Sequence, residues 1–316
     1  MYPEKSKCSK NIVHAHSIQK KQSLDKIAIN GHLYRFEIDS NSFKDWKEFK
    51  TIMPEKVGIN KLSTFNGFCA FHDNELFQPI DDFTIEPTKK QSLLLSIRSM
   101  ANEIYIKTCL KDLPNIGKEV QEGANAIKQA QVEEIMQLHN AGTIIGLLDL
   151  ADDYENLFTI LKTKEYNRVN RLVIEIDETP EVMCSGCWSP TFDMDGNILQ
   201  DLGSSESLET ITFEVLSTNG KGIINLCWYD KALSCSAFAK SLMKIDDIPN
   251  AIVRIIFGLF ENHAFKIDWF DSLSVLKRKG IMKLVMDNVM NNSSYFILND
   301  RKKYVNWNIK SIVFEE

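Results

Sequence analysis

The hydrophobic pattern divides the chain into three stretches. Residues 1 to about 85 show little helical periodicity, and their apolar residues come in short runs between Lys, Ser, Asn and Gly. SLDKIA reads as a short helix with Ser23 as N-cap. GHLYRFEI alternates as a strand, with Leu33, Arg35 and Glu37 on one side and Tyr34, Phe36 and Ile38 on the other. HDNELFQPI predicts a helical turn stopped by Pro79.

From about 87 to 164 the period becomes helical. KKQSLLLSIRSMANEIYIKTCL carries Leu94, Ile97, Ile104 and Leu110 among polar residues, and Pro114 and Gly117 break the run. A second helix is expected from Val120 to about Leu138, and a third over GTIIGLLDLADDYENLFTILKT. Together they predict a helical hairpin or small bundle acting as scaffold. From about 168 the strand signals take over: RLVIEID, ETITFEVLS and GIINLCWYD, the last two joined by a hairpin turn at Asn219 and Gly220. Two helices follow, KALSCSAFAKSLMK and PNAIVRIIFGLFEN, the second opened by Pro249. WFDSLSVLKRKGIMKLVMDNVM is helical on both sides of Gly280, and YFILND and WNIKSIVFEE are read as returning strands. No internal repeat, low-complexity tract or heptad run is present. The expected fold class is α+β: a small N-terminal module over 1–85, a helical segment over 86–166, and a mixed body with an antiparallel sheet over 167–316.

Composition narrows the classes. The 316 residues are 44% hydrophobic and 25% charged, enough for a globular core. A net charge of −6 argues against binding duplex DNA with the whole surface. No run of 18 apolar residues or signal-type segment occurs, so a soluble, cytoplasmic protein without a membrane partner is expected. Seven scattered cysteines fit reduced thiols, with a metal where they cluster, better than a disulfide framework.

The clustering is N-terminal. Four of the six histidines, His14, His16, His32 and His72, lie in the first 72 residues with Cys8 and Cys69. In GFCAFHD, the Cys69-x2-His72 pair brings two ligands to one point. Zinc needs four, and the first cluster offers Cys8 with His14 or His16. The expected set is Cys8, His14, Cys69 and His72. The alternative exchanges His14 for His16, which share a face if the segment is extended. The plain alternative makes Cys69 a buried small residue and His72 a hydrogen-bonded histidine.

AHSIQKKQSLDKIAINGHLY and GINKLSTFNGFCAFHDNELFQPI resemble the N-terminal module of a group of uncharacterised bacterial proteins, over residues 8 to 82. More distantly the module is similar to the treble-clef and HNH nuclease group. That resemblance implies His16 as general base, Asn66 (or Asn60) as the central asparagine, and a catalytic magnesium or manganese ion for which Asp73 is the nearby carboxylate. It also implies a role in bacterial defence against mobile DNA. Asn66 stands closer to His72 than the group's spacing.

Other candidates are weaker. Cys184-x2-Cys187 fits a redox pair or half a zinc site, but reads better as core cysteines at the end of a strand. FDMDGNILQ lacks the later glutamate of a calcium loop and predicts a turn at Asp195-Gly196. Asp149, Asp152 and Asp153 share a helix face expected to be solvated. Glu261, His263 and Asp268 read as a helix-end packing motif. Phosphate-loop, dinucleotide and nucleophile-elbow motifs are absent. Lys5, Lys7, Lys10, Lys20, Lys21, Lys26 and Arg35 give the N-terminal module a positive cast, which suits nucleic acid or simply a solvated surface. Two functions follow: a zinc-stabilised module binding nucleic acid, a protein partner or a second copy of the chain, or a metal-dependent nuclease using His16.

Overall fold

The computed structural model describes residues 8–81, 84, 86–110, 126–201, 203, 206–230, 232–290 and 297–316. Ten strands are described: β1 Ala15–His16, β2 His32–Arg35, β3 Glu55–Gly58, β4 Thr64–Phe65, β5 Val169–Ile176, β6 Val182–Trp188, β7 Ile211–Thr218, β8 Lys221–Tyr229, β9 His263–Phe265 and β10 Ile309–Glu315. Besides one helical turn at Asp25–Ile27, within the expected SLDKIA helix, the helices are α1 Ser40–Phe49, α2 Ala70–Asp81, α3 Lys89–Leu110, α4 Ala126–Thr163, α5 Leu233–Leu242, α6 Ile248–Leu259, α7 Ile267–Ser272 and α8 Val275–Val289. This is the mixed α+β class, with antiparallel pairing throughout.

Eight strands form one sheet in the order β10-β5-β8-β7-β6-β9-β2-β3. The hairpin β7–β8 turns at Asn219 and Gly220, both with positive φ (51° and 79°), as the Asn-Gly signal requires. The period-2 alternation of these strands sorts their side chains onto two buried faces. Leu172, Ile174, Phe213, Val215, Ile224 and Leu226 pack with α5, α6 and α8. Val173, Leu216, Ile223 and Cys227 pack with α3 and α4 on the other face. Both faces are dry, so β7 is buried at every position.

The N-terminal stretch is joined to this sheet. β2 pairs with β9, so the sheet crosses the expected boundary at residue 85. Leu33 and Val57 share a small core with Met183 and Ala264. The sequence signals for α1 and β3 were too weak to predict either. Asp39 caps α1, accepting from the Ser42 backbone N–H at 2.8 Å.

Four expectations are corrected. Ser23 is not an N-cap: it sits in a π-helical turn (Lys20–Leu24), and its hydroxyl accepts from Ser217 N and donates to Ser217 O, tying the segment to β7. Pro79 does not stop its helix, which runs on to Asp81 without the one bond that a residue there would donate to the Glu75 carbonyl. The expected second and third helices are one continuous helix from Ala126, in which the glycines at 142 and 146 are tolerated at about 1 kcal/mol each. The break at Pro114 and Gly117 lies outside the described residues. Of YFILND, residues 297–299 are a helical turn rather than a strand, whereas the final segment is β10 at the sheet edge.

Candidate metal centre and adjoining cavity

Two short antiparallel contacts assemble the site. β1 pairs with β4, and just before it Val13 N donates to Phe68 O (3.1 Å) and Ala70 N to Asn11 O (2.8 Å). This lays Cys8 beside the start of α2. Cys69 directly precedes α2 and His72 lies in its first turn, so an i, i+3 spacing brings Cys69 Sγ to 3.4 Å from His72 Nδ1. The ligand atoms of Cys8, Cys69 and His72 lie within 4.8 Å of one another. The Cys69 thiol is held down to about 6, first by the backbone N–H of His72 and then by Ser9, against the opposing effect of burial. It is therefore a thiolate at neutral pH, the form that ligates metals. Two soft sulfur donors and an imidazole can hold a metal ion.

His14 is not in this group. The extended segment turns it and His16 toward the opposite side, where both line a cavity of about 290 Å³ with Gln19, Asp73, Asp81 and Arg98. The i, i+2 pairing on one face is kept, but neither histidine completes the expected four-ligand set. His16 Nε2 donates to Ile59 O at 3.1 Å, which leaves Nδ1 as the basic nitrogen of the neutral ring. Burial lowers its pKa, and the charges of Lys20 and Arg98 add to this. Asp73 is raised by burial. Asn66 stands apart: its side chain meets the hydroxyl of Tyr105 on α3. Among the described residues no second group of three Cys, His, Asp or Glu ligand atoms converges.

The cavity floor is polar and incompletely satisfied. Arg98, 3% exposed, pairs with Asp81 through two nitrogens (2.8 and 2.5 Å) and lies over Phe77. Yet Arg98 Nε, Gln19 Oε1 and Asp73 Oδ1 are all buried without a hydrogen-bond partner. Arg98 and Gln19 were not singled out in the sequence. Arg98 lies in an apolar helical run, where a lone arginine is the one available signal.

The remaining candidates resolve simply. Cys184 and Cys187 are three apart on β6 and so point to opposite faces, one into each core, where they cannot share an ion. Burial pushes both thiols well up. Asp193 accepts from the backbone of Asp195 and Asn197, closing the turn at Asp195-Gly196. Asp153 is not solvated: it is buried, bonded by the Tyr229 hydroxyl at 3.0 Å, and pushed up to about 6 by that burial. His263 opens β9 and is enclosed, its ring bonded to the carbonyl of Phe260 that caps the end of α6, the helix-end packing the sequence suggests. No helix of the described residues is long and apolar enough to cross a membrane. Comparison with protein-family models, with curated proteins and with solved structures finds no match to this chain.

Proposed function

We propose that this is a zinc-binding protein whose N-terminal segment is a recognition module for nucleic acid. The observation that carries the reading is the convergence of Cys8, Cys69 and His72 at the first turn of α2. Adjacent corners of a tetrahedral zinc site, with bonds of about 2.3 Å to sulfur and 2.0 Å to nitrogen, stand about 3.6 Å apart. The 3.4 Å between Cys69 Sγ and His72 Nδ1 matches that spacing. A strand pair followed by a helix with one ligand just before it and one in its first turn is also what a treble-clef-like module would need. Lys20, Lys21, His14 and His16 border the neighbouring cavity and give nucleic-acid phosphates a place to bind.

Metal analysis of the purified protein tests the first half. About one zinc per chain is expected in the wild type and in His14→Ala, and none in Cys69→Ala; a metal-free wild type ends the proposal. Titration with single- and double-stranded DNA and RNA across a salt series tests the second. A charge-reversed Lys20→Glu/Lys21→Glu variant should bind more weakly and with a shallower salt slope.

A second reading is favoured by the environment of His16. Its Nδ1 is unprotonated in the neutral ring, and the cavity it lines also holds Asp73, one of whose carboxylate oxygens lacks a partner. A nuclease using His16 as base and Asp73 toward magnesium or manganese would give cleavage that Cys69→Ala weakens through folding and His16→Ala abolishes with zinc retained.

A further inference from the structure

A second cavity, of about 450 Å³, opens where α3, the end of β2, the β3–β4 loop and the turn after α6 meet. It is separate from the metal centre and from the cavity around His16. Its volume is that of a small-molecule site, and Phe36, Phe257, Phe260 and Val285 give it apolar walls.

Three carboxamides lie in its lining, those of Asn102, Asn262 and Asn288. Asn102 is 4% exposed, and its side chain has no hydrogen-bond partner among the described residues. Its polar atoms are not among the sealed, unsatisfied ones: they open to the cavity, where a ligand can bond them in place of water. Asn262 is fixed by its own network. Its Nδ2 donates to Ser17 Oγ (2.8 Å) and to Ser185 O (2.6 Å), which uses both protons and leaves Oδ1 as a free acceptor. The Ser17 hydroxyl is held in turn by Ser63 at 2.6 Å, and Ser63 also lines the cavity. His263, by contrast, is used up within the protein: Nδ1 donates to Phe260 O and Nε2 accepts from Phe36 N. At the mouth Lys61 and Glu261 supply one charge of each sign.

We propose that this cavity binds a nucleoside. A carboxamide is matched edge to edge by a planar heterocycle that places a donor beside an acceptor, as adenine does with N6 and N7. Asn102 would read that edge, Asn262 Oδ1 would accept a second N–H, and the aromatic walls would take the ring. Glu261 at the mouth suits ribose hydroxyls, and Lys61 a 5′-phosphate where one is present.

The test is calorimetric titration of the full-length protein with adenosine, guanosine, cytidine, uridine and AMP, on the wild type and on Asn102→Leu. Saturable binding of at least one nucleoside is expected, with adenosine preferred. Asn102→Leu keeps the branched shape, adds some volume and removes both polar atoms, so binding should weaken roughly ten- to a hundredfold. The same variant should melt close to the wild-type temperature, because the amide it removes faces the cavity and makes no bond among the described residues. An asparagine with a merely structural role would lower it. Absence of binding by all five compounds at millimolar concentration overturns the proposal, and so does binding that Asn102→Leu leaves unchanged. A leucine variant that does not fold also overturns it, since that would give the amide a structural partner. Zinc content and polynucleotide binding are read separately, so failure here leaves the metal-centre reading standing, and the reverse holds.

Discussion

Glu214 lies in the middle of β7, the central strand, and is 1% exposed. The groups that hold its carboxylate are all neutral. Ser99 Oγ donates to Oε1 at 2.6 Å and Asn225 Nδ2 donates to Oε2 at 2.7 Å. Burial outweighs these bonds and pushes the carboxyl up to about 7, against an ordinary value of 4.5. The folded protein thus keeps a proton that the unfolded chain gives up. Stability is fully present below about pH 4.5, falls as the unfolded glutamate ionises, and levels off once pH passes about 7. The whole shift is worth about 3 kcal/mol, most of which develops between pH 5 and pH 8. In Glu214→Gln the Ser99 hydroxyl keeps an acceptor. The new N–H meets Asn225, whose Oδ1 is buried without a partner and can turn to receive it. Urea denaturation of both proteins at pH 5 and pH 8 measures the effect. The variant should gain about 2–3 kcal/mol on the wild type between the two conditions. Parallel pH profiles would show that the carboxylate is not shifted, and the account of the buried network would be wrong.

His263 gives the opposite sign. Burial lowers it to about 4 from 6.5, so stability is lost as pH falls from about 6.5 to 4, and its ring protons should show no NMR titration above pH 5. Gly186 has no room for a side chain, since a Cβ there would stand 2.6 Å from the Phe260 ring; Gly186→Ala should destabilise by about 1–3 kcal/mol in thermal or urea unfolding. Arg98→Met removes the cation from a guanidinium that is 3% exposed and leaves Asp81 unpaired; because Asp81 is 40% exposed, a loss nearer 1–2 kcal/mol is expected than the value for a fully buried pair, again by urea unfolding.

Strand alternation and turn chemistry made the body legible. The pattern of β5, β7 and β8 is strong enough to read directly, and Asn219-Gly220 names its own hairpin. The N-terminal half was less so, because its burial is decided by partners far along the chain. Tyr34 faces Phe265 across β2–β9, and nothing local announces a contact between residues so distant in sequence. Cys69 and His72 were found because helical spacing makes them neighbours, and Cys8 because few other thiols are near. His14 was misplaced for a conformational reason. An extended segment sends His14 and His16 to one face, and that face proved to be the cavity side. The amides of the second cavity carried no signal at all: Asn102 and Asn262 matter only through which of their bonds the fold leaves unmade.

The attachment of the N-terminal segment decides what metal removal does. A free-standing zinc module is unfolded without its ion, because the ion supplies most of the folding free energy. Here β2 is held by β9, Leu33 and Val57 share a core with Met183 and Ala264, and Ser23 is bonded to both backbone groups of Ser217. None of those contacts involves Cys8, Cys69 or His72. The ion would therefore hold only the stretch around Cys8 and Asn11 and the first turn of α2, since Ala15, Phe65 and Phe68 anchor β1–β4 in the core with α3. Chelation should release that region while leaving the sheet intact. Hydrogen exchange with and without a chelator separates the cases: amides of Val13 and Ala70 should lose protection, while those of Leu33 and of β5 to β8 keep it. Loss of protection throughout would mean that the sheet depends on the metal, and that the segment's contacts to β7 and β9 are weaker than their burial implies.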